Sequence, residues 1–498
     1  MLATLTVSVS SDGSIANNNG NLTLREAIAY VNQIDTPGPA DAVHIQGPLG
    51  LNDIIQFAPA LNGATITITG GNLVVTDRVM ITGPTGAGNR ITIQKGGAST
   101  ATAGLTFSGF NLSPTGGSVT AQTGVRNLTI TGFDTGVRAI NLSSNLFNDE
   151  TALRVIGNSI TNANTAISLN NADVPFHIET NLLVGRTTSS GFGIELNGSG
   201  QFLPSGQLFT GLPIKPTIGN FDTGAGNAIG NFAVGIFFSF STFPDLRISG
   251  NRIGADLVGP LPNDRGIDMR SSNDGDKVGR IDHNDIVYNL GDGIIAHRVD
   301  GLLIENNLIG ANGGDGIELG IASGNHTIRN NTFDSNGDNG VDGDGVTIHP
   351  LTSGTDARQI EISANDFLGM KSWAQPIDLR NDGRTDNDSN DVDDGINDLQ
   401  NYPEISSVSF SGGTWHVAVS LDVAGSSESK SFRFEFYRYN AALKNYEFIR
   451  SNPVTIPPQM DFAGSFSFAN TTELSDGDQI AVLAIAASGT NVIEIDSA

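Results

Sequence analysis

Residues 304–309 read Ile-Glu-Asn-Asn-Leu-Ile, and residues 316–319 read Gly-Ile-Glu-Leu. The first segment has the pattern apolar-x-x-Asn-x-apolar, which recurs along residues 125–380 at Asn158, Asn181, Asn251, Asn284, Asn307, Asn331 and Asn365. The second segment has the pattern Gly-apolar-x-apolar, which recurs at Gly193, Gly266, Gly316 and Gly345. Repeats of 20–50 residues indicate a solenoid, and short alternating segments are typical of strands rather than helices.

These repeats predict an all-β protein whose main body is a right-handed parallel β-helix. Each coil would supply two or three short strands, and the inward apolar side chains of successive coils would stack at about 4.8 Å. We expect the recurrent asparagine at a bend, where it tolerates the left-handed conformation and bonds the asparagine of the next coil. Residues 54–130 alternate in the same manner and would form the early coils.

The N-terminal region predicts a cap for this solenoid. An open end would expose apolar core and unpaired strand edges, and so must be covered. Residues 23–26 read Thr-Leu-Arg-Glu, which is a capping box, and apolar residues follow at helical spacing up to residue 34. We therefore expect an amphipathic helix over residues 23–34, lying on the first coil.

The character of the sequence changes near residue 400. The Gly-apolar-x-apolar segments stop, and longer strand-like runs appear at residues 415–419, 431–437 and 479–484. Several alternating strands in a segment of this length are typical of an immunoglobulin-like β-sandwich. The sequence therefore predicts two domains, a capped β-helix over residues 1–400 and a sandwich over residues 401–498, which would cover or tether the end of the helix.

Three segments near the N-terminus carry a family resemblance: residues 21–28 (Asn-Leu-Thr-Leu-Arg-Glu-Ala-Ile), 53–57 and 79–84. Together with residues 394–403, they resemble the bacterial CSLREA-type right-handed β-helix proteins. The resemblance implies a secreted or surface-associated protein in which a segment like 394–403 leads into a small β-sandwich. It brings no catalytic residue with it. Leu22 stands where the family often has cysteine, which leaves the capping role unaffected.

Composition excludes several classes of function. The 498 residues include 26 basic and 52 acidic side chains, a net charge of −26, which argues against nucleic-acid binding. No apolar run is long enough for a membrane helix, and the absence of cysteine excludes disulfides and thiol chemistry. The first basic residue is Arg25, so we expect no signal peptide in this chain. Either a signal has been removed, as an extracellular or cell-surface location requires, or the protein is cytosolic.

Aligning the Gly-apolar-x-apolar segments predicts one outward face that carries reactive side chains. If the first apolar residue points inward, then the second and fourth residues after the glycine point outward. These positions bring Asp268, Arg270, His297, Glu318 and His349 onto neighbouring coils. Acid, imidazole and guanidinium groups on one face suit chemistry on an acidic sugar, and these five residues are the candidate catalytic set. A register error of one residue would move them elsewhere, leaving an ordinary polar surface.

Two mechanisms can be built from this set. Asp268 and Glu318 would lie two coils apart, or roughly 9–10 Å, which is near the carboxyl separation of inverting glycosidases. Alternatively, His297 or Arg270 would remove the proton next to a uronate carboxylate, while a bound cation neutralises the developing charge. The sequence leaves both open, and the local signatures of β-helix pectin hydrolases and lyases are absent from it.

Two acidic groups are candidate calcium ligands. One is a predicted row of aspartates on successive coils, which would repel one another unless solvated, protonated or bridged by Ca²⁺. The other is an acidic segment before residue 400, which lacks the glycine and glutamate of an EF-hand loop. An ordinary Asp-Gly turn and a solvated linker are the alternatives. The residues concerned are Asp292, Asp315 and Asp344 in the row, and Asp386, Asp388, Asp391 and Asp393 in the segment.

The sequence thus supports two functional hypotheses. The first is an extracellular protein that interacts with a polysaccharide or cell-surface glycan and acts on it as a lyase or hydrolase, with Ca²⁺ as a candidate cofactor. The second is a non-catalytic surface or matrix protein, in which a rigid rod displays loops or self-associates. Turnover of an acidic polysaccharide would favour the first, and surface retention or filaments without turnover would favour the second.

Overall fold

The computed structural model describes most of the chain as β-structure. The residues it describes are 3–13, 19–50, 52–112, 122–144, 151–172, 174–188, 190–198, 216–239, 243–271, 276–320, 323–337, 343–350, 360–390, 401–423, 429–469, 474, 478–486 and 496–497. They form two compact units, Met1–Asp264 and Arg265–Ala498. The predicted domain boundary at residue 400 falls in 391–400, outside the described residues. In the described part, no helix is both long and apolar enough to cross a membrane.

The first unit is a parallel β-helix built on three sheets, because equivalent strands of successive coils pair in register. The first sheet contains Thr4–Val7, Ile45–Gln46, Asp53–Phe57, Val79–Thr82, Thr123–Arg126, Leu153–Ile156, Phe176–Glu179, Thr217–Ile218 and Phe243–Ser249. The second contains Thr65–Ile68, Ile91–Lys95, Leu128–Thr131, Ser159–Ala163, Leu182–Gly185, Ala228–Gly230 and Arg252–Ile253. The third contains Val74–Val75, Ala103–Ser108, Thr135–Ile140, Thr165–Asn170, Phe192–Asn197 and Val234–Ser239.

A short helix, Leu24–Val31, covers the start of this unit. It packs on Thr4–Val7, Asp53–Phe57 and Val74–Val75, and the predicted capping box between Thr23 and Glu26 is present. The helix is shorter than the predicted 23–34, because Gln33 adopts the left-handed conformation with φ 57°. Four 3₁₀ turns complete the helical structure of the described residues: Ala42–His44, Pro59–Leu61, Ala87–Asn89 and Phe221–Thr223.

The second unit begins with coils of the same kind. Its first sheet contains Asp276–Asp282, Val299–Asp300, Leu303–Glu305, His326–Arg329 and Ile360–Ser363. Its second contains Asp285–Val287, Leu308–Gly310, Thr332–Asp334 and Asp366–Leu368, and its third contains Arg265–Arg270, Ile294–His297, Ile317–Leu319, Val346–Ile348 and Ile377–Leu379. These coils confirm the predicted right-handed parallel β-helix.

Rows of buried asparagines bond the coils to one another at a bend. In the first unit, Asn158, Asn181 and Asn227 each donate a side-chain N–H to the amide oxygen of the next asparagine, over 2.8–3.1 Å, with Asn251 as the acceptor for Asn227. In the second unit, an equivalent row runs through Asn284, Asn307, Asn331 and Asn365. The left-handed conformation predicted for these asparagines belongs instead to the preceding residue, which has φ 68° at Gly157 and 55° at Thr180.

A β-sandwich follows the coils within the second unit. One sheet contains Glu404–Ser411, Thr414–Leu421 and Phe462–Ala469, and the other contains Lys430–Asn440, Asn445–Ile456, Gln479–Ala486 and Asp496–Ser497. The two sheets share an aromatic core, in which the Phe434 ring lies 5.0 Å from Phe462 and 5.3 Å from Phe466.

The sandwich is bonded directly to the last coil of this unit. Phe367 pairs with Tyr446 in an antiparallel bridge. The carboxylate of Glu435, which is 1% exposed, accepts hydrogen bonds from the Ala364 N–H and the Tyr437 hydroxyl, both at 2.8 Å. An antiparallel strand of the sandwich thus pairs with the edge of the last coil, where a further parallel coil would otherwise pair.

We predict that Asn181→Ala destabilises the first unit by about 2–4 kcal/mol, because it leaves the backbone N–H of Asn158 and the carbonyl of Val155 without buried partners. Thermal denaturation of the full chain measures this, with a fall of roughly 2–4 °C expected for each kcal/mol. Asn197→Ala is the matched control, since Asn197 is exposed at a strand end. Equal melting temperatures for the two variants would contradict the role of the row.

Candidate functional site

The third sheet of the second unit places the predicted catalytic residues in two adjacent rows. Its strands pair in register, so that Arg270 lies beside His297, and the N–H of His349 donates to the Leu319 carbonyl at 2.8 Å. The row that contains Glu318 runs through Asp268, Ile295, Glu318, Thr347 and Asp378. Asp268 and Glu318 are therefore two coils apart, and the two histidines lie on the coils on either side of Glu318.

Glu318 lies between two imidazoles. The Nε2 atoms of His297 and His349 each lie 3.2 Å from Oε1 of Glu318. These hydrogen bonds hold the pKa of Glu318 far below its usual range and outweigh the opposing effect of burial. The same contact raises the pKa of His349, so this imidazole keeps its proton to a higher pH. All three side chains are between 21% and 35% exposed, and so a ligand can reach them.

Gly320 makes room for the ring of His297. A Cβ atom at residue 320 would lie 2.3 Å from Cδ2 and 2.4 Å from Nε2 of this ring. Both distances are shorter than van der Waals contact, so any larger residue would displace the imidazole from Glu318. Gly320 is the fourth residue after Gly316, which is the same outward strand position that His297 and His349 have on their own coils.

Asp292 supplies a second carboxyl group beside Glu318. Burial, together with a hydrogen bond to Glu318 and the charges of Glu318 and Asp315, raises the pKa of Asp292 to about 7. Gly314 permits this position, because a Cβ there would lie 2.2 Å from Oδ1 of Asp292. A neutral carboxyl next to an ionised one is a proton donor near neutral pH. The sequence had suggested Asp292 only as a calcium ligand.

Asp268 is held differently from the expectation. Its side chain is only 1% exposed, and it binds two guanidinium groups, Arg270 at 2.8 Å and Arg265 at 3.1 Å. These arginines cover it and occupy both carboxylate oxygens. The prediction that Asp268 forms an open acid–base pair with Glu318 is corrected on this ground. Arg270 itself is about half exposed and remains in the set.

The predicted row of aspartates exists, and its carboxylates accept backbone hydrogen bonds from the next coil. Asp292 accepts the N–H of Asp315 at 2.8 Å, and Asp315 accepts the N–H of Asp344 at 2.9 Å. Asp344 accepts the N–H of Gln375. Burial raises the pKa of Asp344 to about 7, with the charge of Asp315 adding to it. Backbone amides and raised pKa values thus reduce the repulsion within this row, and protonation is one of the three alternatives that the sequence left open.

The second acidic group is only partly described. Asp391 and Asp393 lie outside the described residues. Asp388 pairs with Asn401 through two hydrogen bonds of 2.8 Å that involve its backbone, and Asp386 lies nearby in the same segment. Over the described ranges, no three His, Asp or Glu side chains are grouped closely enough to hold a metal ion. Calcium binding by either group stays a prediction.

The sequence reasoning missed two members of the site. Asp292 was visible as the residue before the glycine of its coil, but its contact with Glu318 depends on the bare backbone of Gly314. Arg265 precedes Gly266 at the start of its strand and pairs with Asp268 three residues later. The sequence shows Arg265 next to the glycine of the repeat, but its pairing with Asp268 depends on the side-chain conformation and cannot be read from the spacing.

Comparisons with known proteins agree with the fold. Residues 146–374 match the family model described as a right handed beta helix region. None of the curated proteins matches the chain. This match agrees with the right-handed β-helix fold of the coils within residues 146–374.

Several solved structures are similar at low identity. They include the enzymatically active domain of tailspike protein 2 from bacteriophage CBA120, with 10% identity, a TM-score of 0.31, and coverage of 87% of this chain and 69% of that one. The A-module of mannuronan C-5 epimerase AlgE6 from Azotobacter vinelandii has 14% identity, a TM-score of 0.31, and coverage of 72% and 94%. The Dettilon tailspike protein has 14% identity, a TM-score of 0.31, and coverage of 93% and 94%. Similarities this distant assign no activity.

We predict that the second unit loses stability as the pH rises from about 4 to about 7, because the pKa values of Asp292 and Asp344 are raised above those of the unfolded chain. Their contribution is complete below the unfolded value and is lost as the pH passes the folded value. The raised pKa of His349 acts in the same direction at higher pH. The lowered pKa of Glu318 contributes stability that is present above the ordinary pKa of a glutamate and is lost progressively as the pH falls below it.

Melting temperatures measured from about pH 5 to about pH 8 check this, with a fall of a few degrees expected for the unaltered chain. Asp292→Asn removes one of the titrating groups and should flatten the profile. Asp264→Asn, at an exposed position of the first unit, is the control and should leave the profile unchanged. A profile that is equally steep in all three proteins would contradict the assignment.

Calcium binding has a separate test. If the row formed by Asp292, Asp315 and Asp344 binds Ca²⁺ in addition to backbone amides, then chelation should lower the melting temperature, because a ligand of the folded state stabilises it. Chelation should leave the melting temperature of the Asp315→Asn variant unchanged. Melting temperatures that are equal with and without chelator would reject calcium at both acidic groups.

Proposed function

We propose that this chain is an extracellular β-helix protein that binds an acidic polysaccharide and cleaves it by β-elimination. The observation that carries the proposal is the partly exposed Glu318 carboxylate held between His297 and His349, with the carboxyl of Asp292, whose pKa is raised to about 7, beside it. Hydrogen-bonded imidazole and carboxyl groups of this kind are general acid–base groups.

Two cationic side chains at this site can bind an anionic ligand. The chain carries a net charge of −26, yet Arg270 and His349 bring positive charge to this face. Cationic side chains can attract an anionic ligand locally even when the net charge of the protein is negative. The carboxylate of one uronate residue would bind the imidazolium of His349. That of another residue of the chain would lie near Arg270, which is three coils, or roughly 14 Å, away.

Elimination needs one base and one acid, and the site has a candidate for each. His297 accepts the proton from the carbon next to the uronate carboxylate, while Glu318 orients the ring and stabilises the imidazolium that forms. The electron pair of the broken C–H bond forms the new C=C double bond. The glycosidic C–O bond on the adjacent carbon then breaks, and Asp292 gives its proton to the leaving oxygen.

Inverting hydrolysis is less suited to this geometry. It requires two open carboxyl groups with water between them. Asp268 is covered by its two arginines, and Asp292 is hydrogen-bonded to Glu318, so it leaves no room for a water molecule between the two carboxyls. Elimination uses no water in the bond-breaking step and meets neither obstacle.

We predict that Glu318→Gln lowers turnover of a polyuronate by about 10²–10⁴-fold, because a neutral amide orients the His297 ring less well and does not stabilise the imidazolium that forms. A panel of pectate, alginate and hyaluronan, followed by the ultraviolet absorbance of unsaturated products, measures the rate. The matched control is Glu195→Gln. Glu195 has the equivalent strand position in the first unit, but its partner is the Ser168 hydroxyl at 2.7 Å.

The outcomes separate the two functions raised by the sequence. Loss of turnover with Glu318→Gln and full turnover with Glu195→Gln support the proposal. Formation of new reducing ends without unsaturated products would show hydrolysis instead of elimination. Binding of polyuronate without any turnover, unaffected by either substitution, would favour a non-catalytic surface or matrix protein and would remove His297 and Glu318 from the function.

A further inference from the structure

Tyr288 is a large residue in a left-handed backbone conformation, whereas the equivalent residues on the next coils are small. Its φ is 62°, and the equivalent residues on the next coils, Ala311, Ser335 and Gly369, have φ values of 50°, 57° and 58°. The backbone N–H groups of the first three each donate to the coil that follows, which confirms their alignment. Left-handed φ is costly for a bulky side chain and is tolerated where the surroundings or a function require it.

The ring of Tyr288 is also exposed. The residue is 45% exposed, and Leu290, two residues later, is 44% exposed. A buried aromatic side chain would offset the backbone strain by the apolar area that it removes from water. A ring that stays in solvent gains little of this. Packing inside the protein therefore does not account for the tyrosine at this position.

The turn that carries Tyr288 also carries Asp292. Residue 288 lies four positions before Asp292 on the same turn, and the next coil contributes residues 311–315, Ala-Asn-Gly-Gly-Asp. The N–H of Gly313 donates to the Asn289 carbonyl, and Gly314 lies against the Asp292 carboxyl. Asn312 and Asp315 are buried, and the other three residues are alanine and glycine, so this coil carries no long exposed side chain beside the turn of Tyr288 and Asp292.

We propose that Tyr288 stacks on a sugar ring of the polysaccharide and thereby positions the glycosidic oxygen near Asp292. This inference rests on the proposed function and names the residue that binds the substrate next to the acid. Pyranose rings present an apolar face of C–H groups, which packs on aromatic rings. The tyrosine would then be a positioning residue, and the backbone strain would be the cost of holding its ring in solvent.

The test is a pair of substitutions with opposite expectations for binding and stability. Tyr288→Asn removes the ring and introduces a residue that tolerates left-handed φ, so the melting temperature should stay equal or rise. Affinity for oligogalacturonate, measured by isothermal titration calorimetry, should fall about tenfold, in line with the energy of one stacked ring. Tyr288→Phe keeps the ring and should keep the affinity. Phe221→Asn, at another exposed aromatic residue, is the control and should leave affinity unchanged.

The results also separate this inference from the proposed function. If Tyr288→Asn lowers the melting temperature and leaves affinity unchanged, then the ring has only a structural role and the inference is wrong. If Tyr288→Asn weakens binding of oligogalacturonate while Glu318→Gln leaves turnover unaltered, then the stacking residue stands and the elimination mechanism fails. Maltooligosaccharide, which has no carboxylates, provides the comparison: equal affinity for both sugars would remove Arg270 and His349 from recognition and leave the stacking intact.

Discussion

Hydrogen bonding between equivalent strands of successive coils is the constraint on which the rest of this structure depends. Parallel pairing in register brings residues 23 or more positions apart in the sequence to about 4.8 Å from each other. Glu318 meets His297 and His349 only because each belongs to the neighbouring coil of the same sheet. A shift of one residue in the pairing would turn these side chains to the opposite face.

Stacking identical groups at this distance creates an electrostatic problem, and the two kinds of row solve it differently. An asparagine amide has both a donor and an acceptor, and so a row of asparagines satisfies itself. An ionised carboxylate only accepts, and therefore each member of the aspartate row takes a backbone N–H from the next coil. Asp292, which also faces Glu318, keeps a proton to about neutral pH. The raised pKa of Asp292 is thus a consequence of the repeat, which brings this carboxyl close to other carboxyls.

The repeat could be recognised from the sequence because apolar alternation and the position of glycine survive without any knowledge of side-chain conformation. The alignment on glycine brings Asp268, His297 and Glu318 to the strand positions that the structure shows. The alignment could not predict the rotamers of long side chains, and so it could not show where their charged ends lie. Arg265 and Arg270 fold back over Asp268, and this depends on rotamers and not on spacing. In the same way, the end of the first helix depends on a single left-handed residue, Gln33.

The position of the site within the second unit also has a physical reason. A carboxylate that needs a histidine from the coil before and another from the coil after cannot lie on a terminal coil. Two further strands of the sheet, Val346–Ile348 and Ile377–Leu379, follow the strand of Glu318. The last coil, which contains Ile377–Leu379, is bonded to the sandwich through Glu435. Interior coils are restrained on both sides, so their side chains keep their geometry when terminal strands fray. Pre-organised acid–base groups require such rigidity, because a displacement of about 1 Å costs a large part of the rate. The coil stack therefore serves the proposed chemistry by holding three separate segments of the chain in one fixed arrangement.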